Sequence, residues 1–340
     1  MTKKMFKPQN VLVTGGAGFI GSNFIEHMLL THNAIKIVNL DKLTYAGNLD
    51  NLKKVDQNKN YTFVQGDICD AVLVANILHA NSIDTIVHFA AESHVDRSIS
   101  GPEEFVRTNV HGTFVLLEES RKYWKEQGWN DQKSRFHHVS TDEVYGTLSK
   151  EDPAFTETTP YAPNSPYSAS KAGSDHLVRA YFHTYKHPVV TTNCSNNYGP
   201  YQNGEKLIPT IIRSCVEQKA IPVYGDGTNI RDWLYVTDHC KGIERALTHG
   251  KTGEVYNIGG WNEWTNIDIV KHICKLMDEK RPANAPHEKL ISFVKDRPGH
   301  DWRYAIDATK MHKELNWKPD ETFETGIRKT VEWYLEKKES

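Results

Sequence analysis

Two side chains four residues apart, Tyr167 and Lys171, and the run Ser140-Thr141-Asp142-Glu143-Val144-Tyr145-Gly146, whose Thr141 lies 26 residues before Tyr167, carry the residue types that move protons at an alcohol. Ser165 and Pro166 supply an N-cap and a first-turn proline, so the spacing predicts a helix with Tyr167 and Lys171 on one face. An ammonium near a phenol favours the phenolate, which makes Tyr167 a usable base, and a hydroxyl at Thr141 can hold the reacting oxygen. A Y-x-x-x-K pair alone is more often an ordinary helix face. Adjacent carboxylates such as Asp142 and Glu143 are usually a solvated acidic turn.

The glycines upstream change that balance. The strand-like VLVTG runs into Gly15, Gly18 and Gly21, spaced G-x-x-G-x-x-G, ahead of a helix-compatible stretch from Phe19 to about Leu30. Without side chains, such glycines let the chain turn tightly and bring backbone N–H groups to a pyrophosphate at the positive end of a helix. Asp41 ends the next strand, KIVNLD, where a carboxylate accepts from ribose hydroxyls and repels a 2′-phosphate. That favours NAD over NADP; a strand-end Asp capping a turn is the ordinary alternative, and Lys42 beside it leaves the choice open. Asp67, closing QGDI, can reach the adenine, and Ala90 and Ala91 are small enough to let a cofactor cross the sheet.

The elements that must hold these residues are short apolar runs, NVLVTG, KIVNLD, YTFVQGD, TIVHFA, RFHHVS and VVTTNCSN, separated by stretches long enough for helices. That order predicts an α/β protein with a doubly wound parallel (Rossmann) sheet, its strands continuous in apolar character because helices cover both faces. Residues 1–196 form the expected cofactor domain. A smaller, mostly C-terminal α/β substrate domain is expected over 197–340, where loops rich in Gly, Pro and aromatics begin, with 230–260 (IRDWLYV and EVYNIGG) rejoining the first domain.

Composition narrows the class. The 340 residues balance 41 Lys+Arg against 43 Asp+Glu, a net charge of −2 that argues against general nucleic-acid binding. The polar start MTKKMFKPQN has no apolar signal core, and no run approaches ~20 apolar residues, so a cytoplasmic, membrane-free protein is expected. Five scattered cysteines without a CxxC pair suggest buried free thiols rather than disulfides or zinc, and the histidines show no ligand spacing, so no metal is expected. His79, His137 and His138 read as structural.

The words TGGAGFIGS, DKLTYAGNL, AAESHVDRS, STDEVYG, YSASKAGSDH and NNYGPYQ together resemble the dTDP-glucose 4,6-dehydratases of the extended short-chain dehydrogenase/reductase family, with matches from Gly15 to His300. The resemblance implies a lyase that oxidises the sugar at C4, eliminates water across C5–C6 and returns the hydride to C6. It implies Tyr167, Lys171 and Thr141 for the oxidation, Glu143 as the C5 base and Asp142 as the acid for the departing 6-hydroxyl. Against NAD it places Phe19, Ile20, Lys42, Leu43, Thr44, Ile68, Ser93, Thr108 and Asn197 besides the residues above. Towards the sugar nucleotide it places Ser93, His94, Thr141 and Asn196, then Lys206 and Leu207, Pro222 and Tyr224, Arg231, Asn266, Asp296, Arg297 and His300. Arg231 and Arg297 offer donor forks to phosphate, and Tyr224 a face for a base. It also suggests a homodimer through helices near Glu103 to Lys125 and Tyr167 to Tyr185. A UDP-sugar 4-epimerase or decarboxylase shares the glycines, Asp41, Tyr167 and Lys171 but has no need of Asp142-Glu143. A GDP-mannose 4,6-dehydratase is expected to take NADP. A non-catalytic NAD-sensing protein has no need to keep Tyr167 and Lys171.

Overall fold

The computed structural model describes residues 5–296 and 300–339. Strand β1 (Asn10–Thr14) leads into α1 (Phe19–Thr31), then β2 (Lys36–Asp41), β3 (Tyr61–Gln65), α2 (Ala71–Ala80) and β4 (Thr85–His88). Two short helices follow, α3 (Val95–Ser100) and α4 (Pro102–Phe105). A π-helical segment, Val106–Gly112, then runs into α5 (Thr113–Glu126), so the long helix expected near Glu103 to Lys125 is interrupted. Next come β5 (Arg135–Thr141), α6 (Pro166–Tyr185) and β6 (Val189–Cys194).

The remainder alternates short strands with helices: β7 (Asn196–Tyr198), α7 (Leu207–Glu217), β8 (Ile221–Tyr224), β9 (Ile230–Tyr235), α8 (Val236–His249) and β10 (Val255–Ile258). It closes with β11 (Glu263–Thr265), α9 (Asn266–Lys280), β12 (Ile291–Val294), α10 (Thr309–Leu315) and α11 (Phe323–Glu339).

Seven parallel strands form the central sheet in the order β3-β2-β1-β4-β5-β6-β10. Every residue of β4, β5 and β6 is buried, as their uninterrupted apolar texture requires of strands covered on both faces. One face packs Phe24, Ile25 and Met28 of α1 with Ile243, Ala246 and Leu247 of α8. The other packs Val74 of α2, Leu116 of α5 and Val178 of α6. The strand order reverses between β1 and β4, and such a sheet opens a crevice for ligands at the carboxyl ends of its strands there.

Of the two runs expected to rejoin the first domain, only EVYNIGG does, as β10 on the edge of β6. IRDWLY forms β9, which pairs with β7 and β11 in a separate three-stranded sheet. The reason is visible in its burial: Trp233 packs against Tyr198, Phe323 and Ile273 in a core of its own, built on α7, α9 and α11.

Candidate active site

Gly15 turns the chain out of β1 with φ 72°, and a Cβ there would lie 2.6 Å from the Ala90 amide nitrogen. A Cβ at Gly21 would meet the Gly15 carbonyl oxygen at 2.3 Å. Only glycine lets these backbones approach so closely. Helix α1 starts after Gly18 with no side-chain cap and no acid in its first turn, so its leading N–H groups remain available to an anion.

Asp41 at the end of β2 is held by two backbone donors, Ala17 N–H to Oδ2 at 2.9 Å and Leu43 N–H to Oδ1 at 2.8 Å. These hold the carboxylate rigidly at the cleft wall, while burial pushes its carboxyl up. Lys42 pairs with Asp67 at 3.0 Å. The cation that left NADP open is thereby tied to a carboxylate. Every predicted cofactor residue except Leu43 lines one cleft of about 320 Å³. Leu43 acts through its backbone, at φ 57°, and packs its side chain into the core instead.

The same cleft reaches Thr141, Asp142, Glu143, Tyr167 and Lys171. A capping box starts α6, with Ser165 Oγ accepting from the Ser168 N–H at 3.0 Å and Ser168 Oγ accepting from the Ser165 N–H at 3.0 Å. Tyr167 and Lys171 are buried one turn apart. Burial holds the Tyr167 phenol well above its usual value, the Glu143 charge adds to this, and the Thr141 hydroxyl works the other way. Lys171 Nζ donates to the Val139 carbonyl at 2.9 Å, and burial lowers its ammonium. The expected lowering of the phenol by that ammonium is therefore outweighed here by burial.

Asp142 is 1% exposed, and its Oδ2 has no hydrogen-bond partner. Burial first, then the neighbouring Glu143 and Asp232 charges, push its carboxyl well above the usual range, while Arg231 and Thr141 pull it down. A carboxyl biased towards its protonated form in this way can serve as an acid. Asn196 Oδ1 and Gln202 Oε1 are likewise buried without partners on the cleft wall. Three orphaned acceptors on one surface call for a polar ligand.

The remaining predicted residues fall into two groups. Ser93, Asn196, Asn197 and Lys206 line the cleft, with Lys206 Nζ donating to the Ser93 carbonyl at 3.3 Å. His94 stands beside it, its Nε2 3.1 Å from Glu205. Leu207 opens α7 and packs into the C-terminal core instead of lining the cleft.

Pro222 and Tyr224 on β8, Asn266, Arg231, Asp296 and His300 lie outside the lining, with Tyr224, Asp296 and Arg231 in contact with the 300–302 segment. Tyr224 faces His300 at 6.4 Å, and Asp296 Oδ1 holds His300 Nδ1 at 2.7 Å. The Asn266 N–H bonds the Asn229 carbonyl, while Asn229 Nδ2 reaches the Asp301 carbonyl at 3.2 Å. Arg231 is buried, donating to the carbonyls of Ile230, Asp301 and Trp302 and stacking on Tyr304 at 4.2 Å. Its fork is thus engaged in part by backbone, and the side chain lies outside the cleft lining. Arg297 lies outside the described residues.

Sequence reasoning missed Gln202 and Asn203 on the cleft wall, although NNYGPYQ contains the first. It also missed Asn109 in the π-helical segment, whose amide bonds Glu92 N–H at 2.8 Å, the Glu92 carbonyl at 3.0 Å and Ser170 Oγ at 2.8 Å, fastening the strand-end loop to α6. His137 and His138 are buried, bonded to Thr192 and Asp175. Among the described residues the five cysteines are unbridged, no cluster of His, Cys, Asp or Glu is placed to hold a metal, and no helix is long and apolar enough to cross a membrane.

A family model described as GDP-mannose 4,6 dehydratase matches residues 12–330. The dTDP-glucose 4,6-dehydratase of Shigella flexneri is 57% identical over 334 residues, covering 96% of this chain and 92% of that protein. The chain belongs to the dTDP-glucose 4,6-dehydratase family. The Neisseria gonorrhoeae member is 55% identical over 97% of this chain and 96% of its own. Among solved structures, the Bacillus anthracis member, crystallised in complex with NAD, superposes with TM-score 0.87 at 49% identity, covering 97% of this chain and 98% of that one. A Thermotoga maritima UDP-glucose 4-epimerase shares the architecture, with TM-score 0.84 over 96% and 99% of the two chains, at only 28% identity.

Proposed function

We infer that this protein catalyses the NAD-dependent 4,6-dehydration of dTDP-glucose to dTDP-4-dehydro-6-deoxy-glucose and water. The observation that carries the reading is the burial of Asp142, with its orphaned Oδ2 and raised carboxyl, beside Thr141 and Glu143 in the cleft that also holds Tyr167 and the glycine turn. Oxidation alone needs Tyr167, Lys171 and Thr141. An uncharged carboxyl next to a second carboxylate serves an elimination, where one group gives a proton as the other takes one.

In this reading Tyr167, in the phenolate form that Lys171 supports, takes the proton of the sugar 4-hydroxyl while Thr141 holds that oxygen. NAD, when bound, accepts the C4 hydride and later returns it to C6. The C4 ketone acidifies the C5 hydrogen, which Glu143 removes. Asp142 protonates the departing 6-hydroxyl, so that water leaves, and Glu143 gives its proton back to C5. The glycine turn and the open N-terminus of α1 take the cofactor pyrophosphate, and Asp41 its adenosine ribose. Residues 1–196, with β10 returned to them, serve the cofactor, and 197–340 the nucleotide and sugar. The test is product analysis after separate incubation with dTDP-glucose, UDP-glucose and GDP-mannose. A 4-keto-6-deoxy sugar from the first substrate is the expected result. Conversion of UDP-glucose to its C4 epimer without loss of water would replace this reading by that of an epimerase.

The protein works as a cytoplasmic homodimer in this reading. Val106, Phe114 and Tyr185 stand 56%, 40% and 53% exposed on the π-helical segment, α5 and α6, a set of large apolar side chains on elements that pack together. Burying them needs a partner, and a second copy offers the same face. Phe114→Asp is expected to shift sedimentation from dimer to monomer. An unchanged sedimentation coefficient removes this face from the interface.

A further inference from the structure

Helix α6 carries a third buried titratable side chain in step with the first two. Tyr167, Lys171 and Asp175 follow at intervals of four, one face of one helix, at 8%, 5% and 5% exposure. Asp175 touches neither the cleft nor, by ion pair, Lys171; nothing in the reaction sequence above uses it. Yet its carboxylate is built as an anion. Oδ2 accepts from Ser140 Oγ at 2.8 Å and from the Tyr161 hydroxyl at 3.0 Å, and Oδ1 faces His138 Nε2 at 2.9 Å. His138 is fully buried on β5, its Nδ1 has no partner, and burial lowers its pKa well below the ordinary value, so the neutral ring carries its proton on Nε2 and donates. Three donors converge on one carboxylate, an arrangement that favours the charged form.

We propose that Asp175 is a positioning residue of the oxidation, its carboxylate being the fixed anion that keeps Lys171 an ammonium one helical turn from the Tyr167 phenol. Among the described residues the Lys171 ammonium has no carboxylate of its own, and its Nζ bonds only the Val139 carbonyl. Burial depresses it, and the groups that act against burial are the Asp175 carboxylate and the Cys194 thiol. The thiol is itself held neutral by burial. Asp175 is therefore the source of negative charge that offsets desolvation of the lysine. In return Lys171 counters the burial that pushes the Asp175 carboxyl up to about 6. The other groups around Asp175 are His176 on its own helix, Tyr145 in the turn after β5, and Asn193 on β6, which donates to the Tyr161 hydroxyl at 3.2 Å. Behind His138 stands the neutral His88 of β4, ring centroids 5.4 Å apart. Among these, Lys171 and Asp175 are the buried pair whose charges must persist together.

The proposal rests on the assignment of Tyr167 and Lys171 to the oxidation. Asp175→Asn keeps the shape and the acceptor oxygen but removes the charge. In the holoprotein, the rate of reduced-nucleotide formation in the first turnover, followed across pH, is expected to lose its base-side limb about one unit earlier, the lower end of what an opposite charge does to a buried group. Independently of turnover, the ultraviolet phenolate signal of Tyr167, isolated by difference from Tyr167→Phe, should appear at correspondingly higher pH. Asp175→Glu, which restores the charge, should return the limb towards its original position even where packing slows the rate. Tyr161→Phe removes one donor, so the carboxylate protonates earlier and only the acid-side limb should rise. A uniform drop in rate with both limbs and the phenolate signal unmoved overturns the proposal. If Asp175→Asn fails to fold, Tyr161→Phe decides, and an unmoved acid limb overturns it. Full turnover by Tyr167→Phe would instead bring down the underlying assignment.

Discussion

Replacing Tyr167 with Phe is expected to slow turnover of dTDP-glucose by about 100-fold or more, the usual scale for a positioned acid or base. The substitution removes one hydroxyl from a buried ring and leaves its edge contact with Phe105, ring centroids 6.4 Å apart, in place. The helix start is set by Ser165 and Ser168, so folding and nucleotide binding should change little. The loss falls on kcat rather than on KM, because the phenol acts on the 4-hydroxyl in the transition state. Steady-state kinetics with bound nucleotide measured separately checks this. Parent-rate turnover in the variant would assign the oxidising base elsewhere.

The adjacent carboxylates should fail at different points. Glu143→Gln loses the C5 base but keeps Tyr167, Thr141 and Lys171, so the first hydride transfer proceeds and the reaction halts at the 4-ketosugar with the nucleotide reduced. Asp142→Asn keeps the C5 base but loses the acid. It should exchange the C5 hydrogen with heavy water while expelling the 6-hydroxyl slowly. Each loss is expected at about 100-fold or more in overall turnover. The burial of Asp142 sharpens the contrast, since an amide there is neutral like the carboxyl it replaces and disturbs the surroundings little. Rapid-quench mass spectrometry in heavy water separates the two. Equal C5 exchange in both variants, or no reduced nucleotide with Glu143→Gln, ends this division of labour.

Much of the architecture was legible because it rests on local rules. The six apolar runs became β1 to β6, and the glycine turn, Asp41 and the Ser165-Pro166 helix start are each fixed by residues within a few positions of one another. What sequence could not reveal depends on distant partners. IRDWLY has the texture of any buried strand, and only the aromatic core around Tyr198, Trp233 and Phe323 decides which sheet receives it. That Arg231 also meets the carbonyls of Asp301 and Trp302 depends on a loop seventy residues away. Asn109 is an unremarkable polar residue until the π-helical segment turns its amide between Glu92 and Ser170. Asp175 gave no signal of its own, since its three donors come from β5 and a loop.

The Thr141 hydroxyl lies between the two groups whose protonation must be reset. It donates to Asp142 Oδ1 at 3.4 Å, and it favours the charged form of the Tyr167 phenol. Over one cycle the hydride leaves C4 and arrives at C6, and Glu143 ends as it began. Tyr167 finishes with a proton it did not start with, and Asp142 finishes one short. A single proton passed from phenol to carboxylate restores both, and a hydroxyl, which can both accept and donate, is able to carry it. The starting condition of the next cycle is then written by the end of the last, inside the protein, with no base or acid drawn from the surrounding water.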